Sequence, residues 1–310
     1  MTAAAQADAR ERGRNDDVIK AVPLRRPGRL IAAAIILVLL GLFIYGAATN
    51  SAYQWDTYRK YVFDSRVSKA ALITLELTVL AMAIAVVLGV ILAVMRMSDN
   101  PVLKGVAWLY LWVFRGTPVY VQLVFWGLIT NIYSQIDLGV PFLVQFMHLK
   151  TNSWLTPFVA AFIGLGLNEA AYMAEIVRAG IGSVDEGQHE AALALAMTWG
   201  QTMRRVVLPQ AMRVIIPPTG NEVISMLKTT SLVVGVPLTT DLYSESRDIG
   251  GVLFRPIPLL LVASTWYLAV TSLLMVGQYF LERRYARGTS RVLTNRQLQA
   301  LAEAQQKESI

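Results

Sequence analysis

The sequence predicts an all-α fold, a polytopic bundle of about six transmembrane helices with both termini on the cytoplasmic side. Of the 310 residues, 55% are hydrophobic and only 16% are charged, whereas a soluble domain carries about 25% charged residues. The apolar residues also fall in long runs, and a helix that crosses a bilayer needs about 20 of them. Six runs qualify or nearly qualify: residues 30–48, 70–95, 106–132, 155–179, 214–236 and 258–281.

The first run follows a polar segment without periodicity, so residues 1–29 are predicted to form a disordered cytoplasmic tail. The small residues Gly46, Ala47 and Ala48 would also fit the cleavage site of a signal peptide. The long segment before the run, and its length of about 18 residues, favour an uncleaved anchor instead. Residues 30–66 are therefore predicted to form one additional span and an external loop.

Basic residues accumulate on the cytoplasmic side of membrane proteins, and their positions orient the bundle. Because one cluster precedes the first span and another follows the last, both termini are predicted to be cytoplasmic, with residues 285–310 as a polar tail. The four clusters that fall on this side are Arg25, Arg26 and Arg29; Arg96 and Lys104; Arg178, Arg204, Arg205 and Arg213; and Arg283, Arg284, Arg287 and Arg291.

The third run is interrupted by Arg115, Gly116 and Pro118, which are predicted to have a structural or gating role. One interpretation is a short interfacial helix over residues 106–114, with the membrane crossing beginning near Pro118. The other is a continuous crossing with Arg115 buried and paired. We favour the first, because it avoids the cost of burying a charge in the membrane.

Ionisable residues inside the fourth and fifth runs are hypotheses of function, because charges within the hydrocarbon region are costly. Glu169, Glu222 and Lys228 are predicted to line the path of a polar solute. Glu175 and Arg178 lie three residues apart and are predicted to pair on one helix face near the inner end. Pro217 and Pro218 interrupt the fifth run, either as kinks or where a helix lines a cavity; neighbouring groups can satisfy the freed carbonyls.

The polar interval between the fourth and fifth runs, residues 182–213, is predicted to form two short cytoplasmic helices. Ser183 with Glu186, and Thr198 with Gln201, each match a capping box, and Pro209 is expected to stop the second helix. The first helix carries Glu190, Ala191 and Ala192, followed by leucines. Such a helix could insert into the groove of a soluble partner or pack on the protein's own cytoplasmic ends, and the pattern alone leaves both interpretations open.

This interval resembles the EAA loop of ABC importer permeases, whose pattern is EAA, three residues, Gly, nine residues, Ile, one residue, Leu-Pro. Glu190, Ala191 and Ala192 stand in the EAA positions, and Leu208 and Pro209 stand in the Leu-Pro positions, with the same spacing. Val206 replaces the isoleucine, and Ala196 replaces the glycine. The resemblance implies that residues 182–213 form the coupling loop that docks on the ATPase subunit, with these EAA and Leu-Pro residues and Ala196 at the coupling site.

Four segments resemble the polar-amino-acid branch of these permeases, namely residues 114–123, 171–181, 201–211 and 226–232. The resemblance implies a permease domain over residues 67–284 in a multi-pass protein of the bacterial inner membrane. It also implies four partners: ABC ATPase subunits that bind ATP and Mg, a second permease half that is identical or related, an extracytoplasmic solute-binding protein, and a polar amino acid as substrate. The first span is additional to the five-helix core of the family.

Absent residue types exclude several other function classes. The chain has no cysteine and only two histidines, His148 and His189, so no metal site is predicted. No phosphate-binding loop, H-E-x-x-H or G-x-S-x-G motif occurs, so the chain is predicted to be no enzyme, with no catalytic residue or cofactor of its own. The net charge of +7 is explained by topology, so no nucleic acid is expected.

Two other classes remain as alternatives to an ABC permease. An ion-coupled secondary transporter of a small polar solute typically carries inverted repeats, and none is visible in the sequence. A membrane scaffold without transport activity would leave Glu169, Glu222 and Lys228 inside the spans without a role.

Overall fold

The computed structural model describes residues 27–140 and 144–285, without the side chains of residues 136–149. The described elements are α1 (Pro27–Thr49), α2 (Trp55–Tyr61), α3 (Ser65–Met97), α4 (Pro101–Gly116), α5 (Val119–Ile132), β1 (Gln135–Val140), β2 (Val144–Lys150), α6 (Thr151–Trp154), α7 (Pro157–Gly182), α8 (Glu186–Ala194), α9 (Trp199–Thr202), α10 (Leu208–Thr229), α11 (Leu242–Val252) and α12 (Pro256–Tyr285). Short 3₁₀ segments cover Ser51–Tyr53 and Thr230–Gly235, and a π-helical segment covers Met203–Val207.

The predicted all-α class is confirmed. Among the described residues, four helices are long and apolar enough to cross a membrane, namely α1, α3, α7 and α12, and α5 is a shorter apolar helix. The fifth run corresponds to α10, which contains two prolines and several polar residues. Six spans, and the orientation of the termini, stay predictions. The predicted tails lie outside the described residues except for residues 27–29 and 285.

The described chain divides into two units. The first contains α1 and the 3₁₀ segment up to Tyr53, and the second begins at Gln54. In α1 the large apolar side chains are exposed along the whole helix, as expected for a segment whose surroundings are lipid. The second unit contains every residue of the predicted permease domain that the structure describes.

The centre of the second unit is the contact between α3 and α7, which run against each other over most of their lengths. Two glycines make this close approach feasible. A Cβ at Gly89 would lie 2.6 Å from the Cβ of Met173, and one at Gly166 would lie 2.8 Å from the Cβ of Ile84. Small residues at helix contacts let the backbones approach closely, which is a typical way of packing helices in membranes.

Three polar contacts fasten the start of the second unit to α12. Arg255 Nη1 donates to Thr57 Oγ1 at 2.7 Å, Trp266 Nε1 donates to the carbonyl of Val62 at 2.7 Å, and the hydroxyls of Tyr58 and Thr265 lie 3.0 Å apart. Buried apolar residues of α2, α3, α11 and α12 fill the space around these contacts. The segment before α3 is thus part of the packed unit.

The α10 helix contains Pro217 and Pro218 and continues through both. The Gln278 side chain of α12 donates to the carbonyl of Pro217 at 2.8 Å. A Cβ at Gly220 would collide with the same side chain. The absence of a side chain at Gly220 therefore leaves room for Gln278 to reach the helix backbone.

A short antiparallel hairpin, β1 and β2, connects α5 to α6. Its register pairs Gln135 with Lys150 at the open end and Val140 with Val144 near the turn, with an irregularity between Leu138 and Gly139. These strands were not predicted from the sequence, although residues 135–140 alternate between polar or small and apolar side chains, a pattern typical of a strand.

Candidate functional site

A cavity of about 540 Å³ lies where the junction of α4 and α5 meets α7 and α10. Small-molecule sites in proteins have volumes of roughly 300–1,000 Å³, so its size suits a small solute. Its lining consists of Arg115, Gly116, Thr117, Pro118, Val119, Leu165, Asn168, Glu169, Tyr172, Glu222, Ser225, Met226 and Thr229.

The structure brings five of the residues predicted from sequence into this one cavity. Glu169 comes from α7, Glu222 from α10, and Arg115, Gly116 and Pro118 from the junction. Lys228 is exposed on α10 and is not part of the lining. Glu175 and Arg178 also lie outside the lining, further along α7.

The two carboxyl groups of the cavity lie next to each other. Glu169 is buried, with 8% of its surface exposed. Its Oε1 atom accepts no hydrogen bond from any described residue. A buried acceptor without a partner is costly, so a donor from a solute or from water would stabilise it. Two adjacent carboxyl groups favour a ligand group that carries positive charge.

Two amide side chains hold the junction between α4 and α5, and sequence reasoning missed both. Gln122 Nε2 donates to the carbonyls of Phe114 and Thr117 at 3.0 and 3.1 Å, and to Thr117 Oγ1 at 2.7 Å. Asn168 Nδ2 donates to the carbonyl of Phe114 at 3.0 Å and to Gln122 Oε1 at 3.1 Å. The last carbonyls of a helix have no partner within the helix, and these amides supply one.

The break in the third apolar run agrees with the interpretation that we favoured. α4 ends at Gly116, and α5 begins at Val119 after Pro118. The first helix starts at Pro101, five residues earlier than predicted, because Asn100 caps it through its side chain. Arg115 is half exposed rather than buried, although it is paired, as the other interpretation required. Whether α4 lies at the membrane interface stays a prediction.

Three arginines converge on Glu175, where the sequence predicted one. The expected pair is present, with Arg178 Nη2 at 2.9 Å from Glu175 Oε2. Arg96 of α3 pairs with the other oxygen, and Arg115 of α4 lies 3.4 Å from it. The Arg115 guanidinium also lies 5.4 Å from the centre of the Tyr172 ring. Arg96 and Glu175 are 79 positions apart, so helical spacing could not reveal their contact.

The predicted capping box of α8 is wrong, although the helix is present. Its N-cap is Asp185, whose side chain accepts a hydrogen bond from the amide of Gly187 at 2.8 Å. Ser183 instead ends α7 and donates to the carbonyl of Gly180 at 2.7 Å. Both are good capping residues two positions apart, and the continuation of α7 to Gly182 leaves only Asp185 in the position before the new helix.

Ala196 adopts a left-handed backbone conformation with a φ of 51°. It closes α8, because the amide of Met197 donates to the carbonyl of Ala192, and the amide of Ala196 donates to that of Leu193. This is the Schellman arrangement, whose left-handed position is usually a glycine. The position that departs from the EAA pattern therefore requires glycine-like backbone freedom and not only a small side chain.

The second predicted capping box is confirmed. Thr198 Oγ1 accepts from the amide of Gln201, and Gln201 Oε1 accepts from the amide of Thr198 at 2.9 Å. The expectation that Pro209 stops this helix is wrong. The π-helical segment Met203–Val207 joins α9 to α10, and Pro209 lies in the first turn of α10. A proline ring clashes with the carbonyl four residues earlier in an α-helix, and the wider π-helical turn accommodates it.

The outer face of α8 and α9 presents three large apolar side chains. Leu193, Leu195 and Trp199 are 68%, 77% and 75% exposed, whereas Ala192 is buried against the chain itself. Glu190 and Ala191 are exposed beside the leucines. The leucines therefore do not pack on this protein's own cytoplasmic ends, and the second of the two open interpretations does not hold for them.

Comparison with known proteins decides the family. The family described as binding-protein-dependent transport system inner membrane component matches residues 85–287. The chain belongs to this family. The matched range covers the part of the second unit from the middle of α3 through α12.

Relatives of this chain are named as amino-acid transport permeases. The arginine transport system permease protein ArgU of Corynebacterium glutamicum is 62% identical over 288 residues, which cover 93% of this chain and 89% of the relative. The L-cystine transport system permease protein TcyB of Bacillus subtilis is 34% identical and covers 77% of this chain and 94% of the relative.

Solved structures of ABC transporters match most of the chain. A crystal structure of an amino acid ABC transporter with histidines has a TM-score of 0.59 and 35% sequence identity, and the match covers 71% of this chain and 94% of that chain. The inward-facing MetNI methionine ABC transporter has a TM-score of 0.53 and 18% identity, which shows the fold alone. The chain is a permease subunit of an ABC importer, and the secondary-transporter alternative is not supported.

Proposed function

We propose that this permease forms the translocation path for a polar amino acid with a cationic side chain, and that it works in the bacterial inner membrane. The observation that carries the proposal is the pair of carboxyl groups, Glu169 and Glu222, in one cavity. A guanidinium or ammonium group would meet both carboxyl groups there and form charge-assisted hydrogen bonds with them. The similarity to an arginine transport permease at 62% identity supports the same class of substrate.

We propose that Lys228 also lines the path, from a face of α10 other than the face that carries Glu222. It is exposed together with Asn221, and a polar stripe on a helix that the second permease half or water can reach is less costly than one in lipid. We therefore propose that this stripe faces a second permease half, with the path between the two.

ATP chemistry is proposed to reside in separate ABC ATPase subunits that bind ATP and Mg. The exposed leucines and Trp199, beside Glu190 and Ala191, form a surface that suits insertion of α8 into a groove of such a subunit. A separate extracytoplasmic solute-binding protein is proposed to deliver the substrate, in keeping with the family to which the chain belongs.

The path is tested by uptake of radiolabelled arginine through the complete transporter. Glu222→Gln is expected to reduce uptake about tenfold to a hundredfold, since a hydrogen bond to a charged group contributes roughly 1.5–3 kcal/mol. Asp99→Asn is the matched control, because Asp99 is exposed in the turn between α3 and α4 and does not line the cavity; its uptake is expected to stay near wild type. Equal uptake in the two variants would rule out a role for the cavity carboxylates.

Coupling is tested by co-purification of the ATPase subunit. Leu195→Asp and Glu190→Arg are expected to abolish ATPase association and uptake while the protein still inserts into the membrane, because both side chains are exposed on α8 or at its end. Val252→Asp is the control, since Val252 is equally exposed at the end of α11. Normal ATP-driven uptake in the two α8 variants would refute coupling through this helix.

A further inference from the structure

Beside the substrate cavity, a second cavity of about 310 Å³ opens on the outer side of α4. Its polar wall contains Arg96, Arg115 and Glu175, and its apolar wall contains Trp108, Leu111 and Trp112. Arg178 reaches Glu175 from the next turn of α7. The proposed transport function uses none of Arg96, Trp108 and Trp112.

The charges of this cavity do not balance. Three arginines pair with the single carboxylate of Glu175, and no other described carboxylate pairs with any of them. One negative charge against three positive charges leaves two guanidinium groups in need of an anion. Guanidinium groups bind phosphate oxygens through paired hydrogen bonds, so a phosphate ester matches the chemistry of the polar wall.

The apolar wall indicates that the anion carries hydrocarbon. The rings of Trp108 and Trp112 are stacked with centroids 6.1 Å apart and planes 7° apart, and the two side chains are 58% and 63% exposed. Exposed tryptophans favour the interface between headgroups and acyl chains. A soluble phosphate would gain nothing from this wall, whereas a phospholipid would contact both walls at once.

The position along α3 agrees with a headgroup. Arg96 lies in the last turn of α3, a helix long and apolar enough to cross the membrane. The cavity is therefore at a membrane boundary, at the end that the distribution of basic residues assigns to the cytoplasm. Basic pockets between transmembrane helices on that side typically bind anionic headgroups.

We propose that this cavity binds the phosphate headgroup of an anionic phospholipid of the cytoplasmic leaflet. Arg96 and Arg115 bind the phosphate. Arg178 remains paired with Oε2 of Glu175, the oxygen that the other two arginines do not contact. An acyl chain packs against Trp108 and Trp112. This site does not depend on the identity of the transported solute.

The experiment measures lipid binding to the purified transporter by native mass spectrometry and by thermal unfolding. Phosphatidylglycerol and phosphatidylcholine are titrated in parallel, with inorganic phosphate in a phosphatidylcholine background as the soluble arm. The wild-type protein is expected to bind phosphatidylglycerol more tightly than phosphatidylcholine and to be stabilised more by phosphatidylglycerol. Arg96→Gln is expected to weaken that binding about fivefold, since one basic residue near an anionic headgroup contributes about 1 kcal/mol.

Two further variants separate a specific site from general effects. Lys104→Gln removes an equal charge from an exposed position on α4 outside the cavity, and its binding is expected to match wild type. Glu175→Gln removes the competing carboxylate and is expected to tighten phosphatidylglycerol binding severalfold, an effect opposite to that of a folding defect. This variant keeps the test decisive if Arg96→Gln fails to fold.

Three results would overturn the proposal. They are equal binding of the two lipids to wild type, equal losses in Arg96→Gln and Lys104→Gln, and stabilisation by inorganic phosphate as large as that by the lipid. A second copy of this chain packed symmetrically on the tryptophan wall would be detected by a Trp112→Cys variant, because a disulfide could then join the two introduced thiols and the chain has no other cysteine. Near-complete disulfide cross-linking of that variant in native membranes would also exclude a lipid.

Discussion

Ala196 occupies a backbone conformation that alanine rarely adopts. A left-handed residue other than glycine costs roughly 1–2 kcal/mol because its Cβ crowds the following carbonyl, and the φ of 51° places Ala196 in that region. The cost falls on the C-terminal end of α8, which carries the proposed docking surface. Where the EAA pattern has glycine, this protein has a docking helix that is less stable at its end.

Replacement of Ala196 by glycine is expected to stabilise the end of α8 by roughly 1 kcal/mol. Ala194→Gly lies two residues earlier, inside the helix, and is expected to destabilise it by about 1 kcal/mol. Hydrogen exchange of the α8 amides should therefore slow in the first variant and quicken in the second. Faster exchange in Ala196→Gly than in wild type would contradict the assignment of strain to this residue.

At the level of single residues, sequence reasoning succeeded where the partners are close in the chain. The Thr198 capping box and the pair of Glu175 with Arg178 follow from spacings of three residues. Arg96 could not be foreseen as a partner of Glu175, because the two residues meet only through helix packing. The lining of the cavity by Ser225 and Thr229 was foreseeable, since both share a helix face with Glu222.

The contact between α3 and α7 depends on the absence of side chains at two positions. A Cβ at Gly89 would meet a Cβ, which belongs to the rigid part of Met173, and would also lie 3.1 Å from the backbone nitrogen of Ala174. Neither group can move without shifting the helix. The cavity that contains Glu169 lies against α7 in the same unit, so the spacing of these helices also sets the position of Glu169.

Gly89→Ala is expected to lower the free energy of unfolding by about 1–3 kcal/mol, as overpacking in tightly packed interiors does. Gly105→Ala is the matched control, because nothing lies within 4 Å of a Cβ at that position in α4. The control should be neutral or slightly stabilising, since alanine favours a helix over glycine. Thermal unfolding in detergent checks both, and equal melting temperatures would remove the packing explanation.

Helices were predictable from sequence wherever long apolar runs or strong breaks occur. The runs located α1, α3, α7 and α12, and Gly116 with Pro118 located the gap between α4 and α5. The hairpin β1–β2 was missed although residues 135–140 alternate, because that alternation is short and lies between two long apolar runs. Pro209 was misjudged because a proline in the first turn of a helix starts it as readily as it stops the preceding one.

Over the whole molecule, the family and the general fold followed from one cytoplasmic loop and the apolar runs. The cavity did not, because its lining comes from three separate stretches of chain that only the folded bundle brings together. Glu169 and Glu222 were selected because charged groups are costly in apolar surroundings, and both residues line the cavity. The same criterion selected Lys228, which lies on a different face of α10 from Glu222.

The joining of α9, the π-helical segment and α10 has a mechanical consequence. From Trp199 on the proposed docking surface to Glu222 in the cavity, the chain is helical without a break, over a length of about 35 Å. A force applied at the Trp199 end therefore acts through one continuous helix that carries the carboxyl group of Glu222. Movement of the Trp199 end would therefore reach Glu222 through the π-helical segment Met203–Val207, which lies between the two ends of this helix.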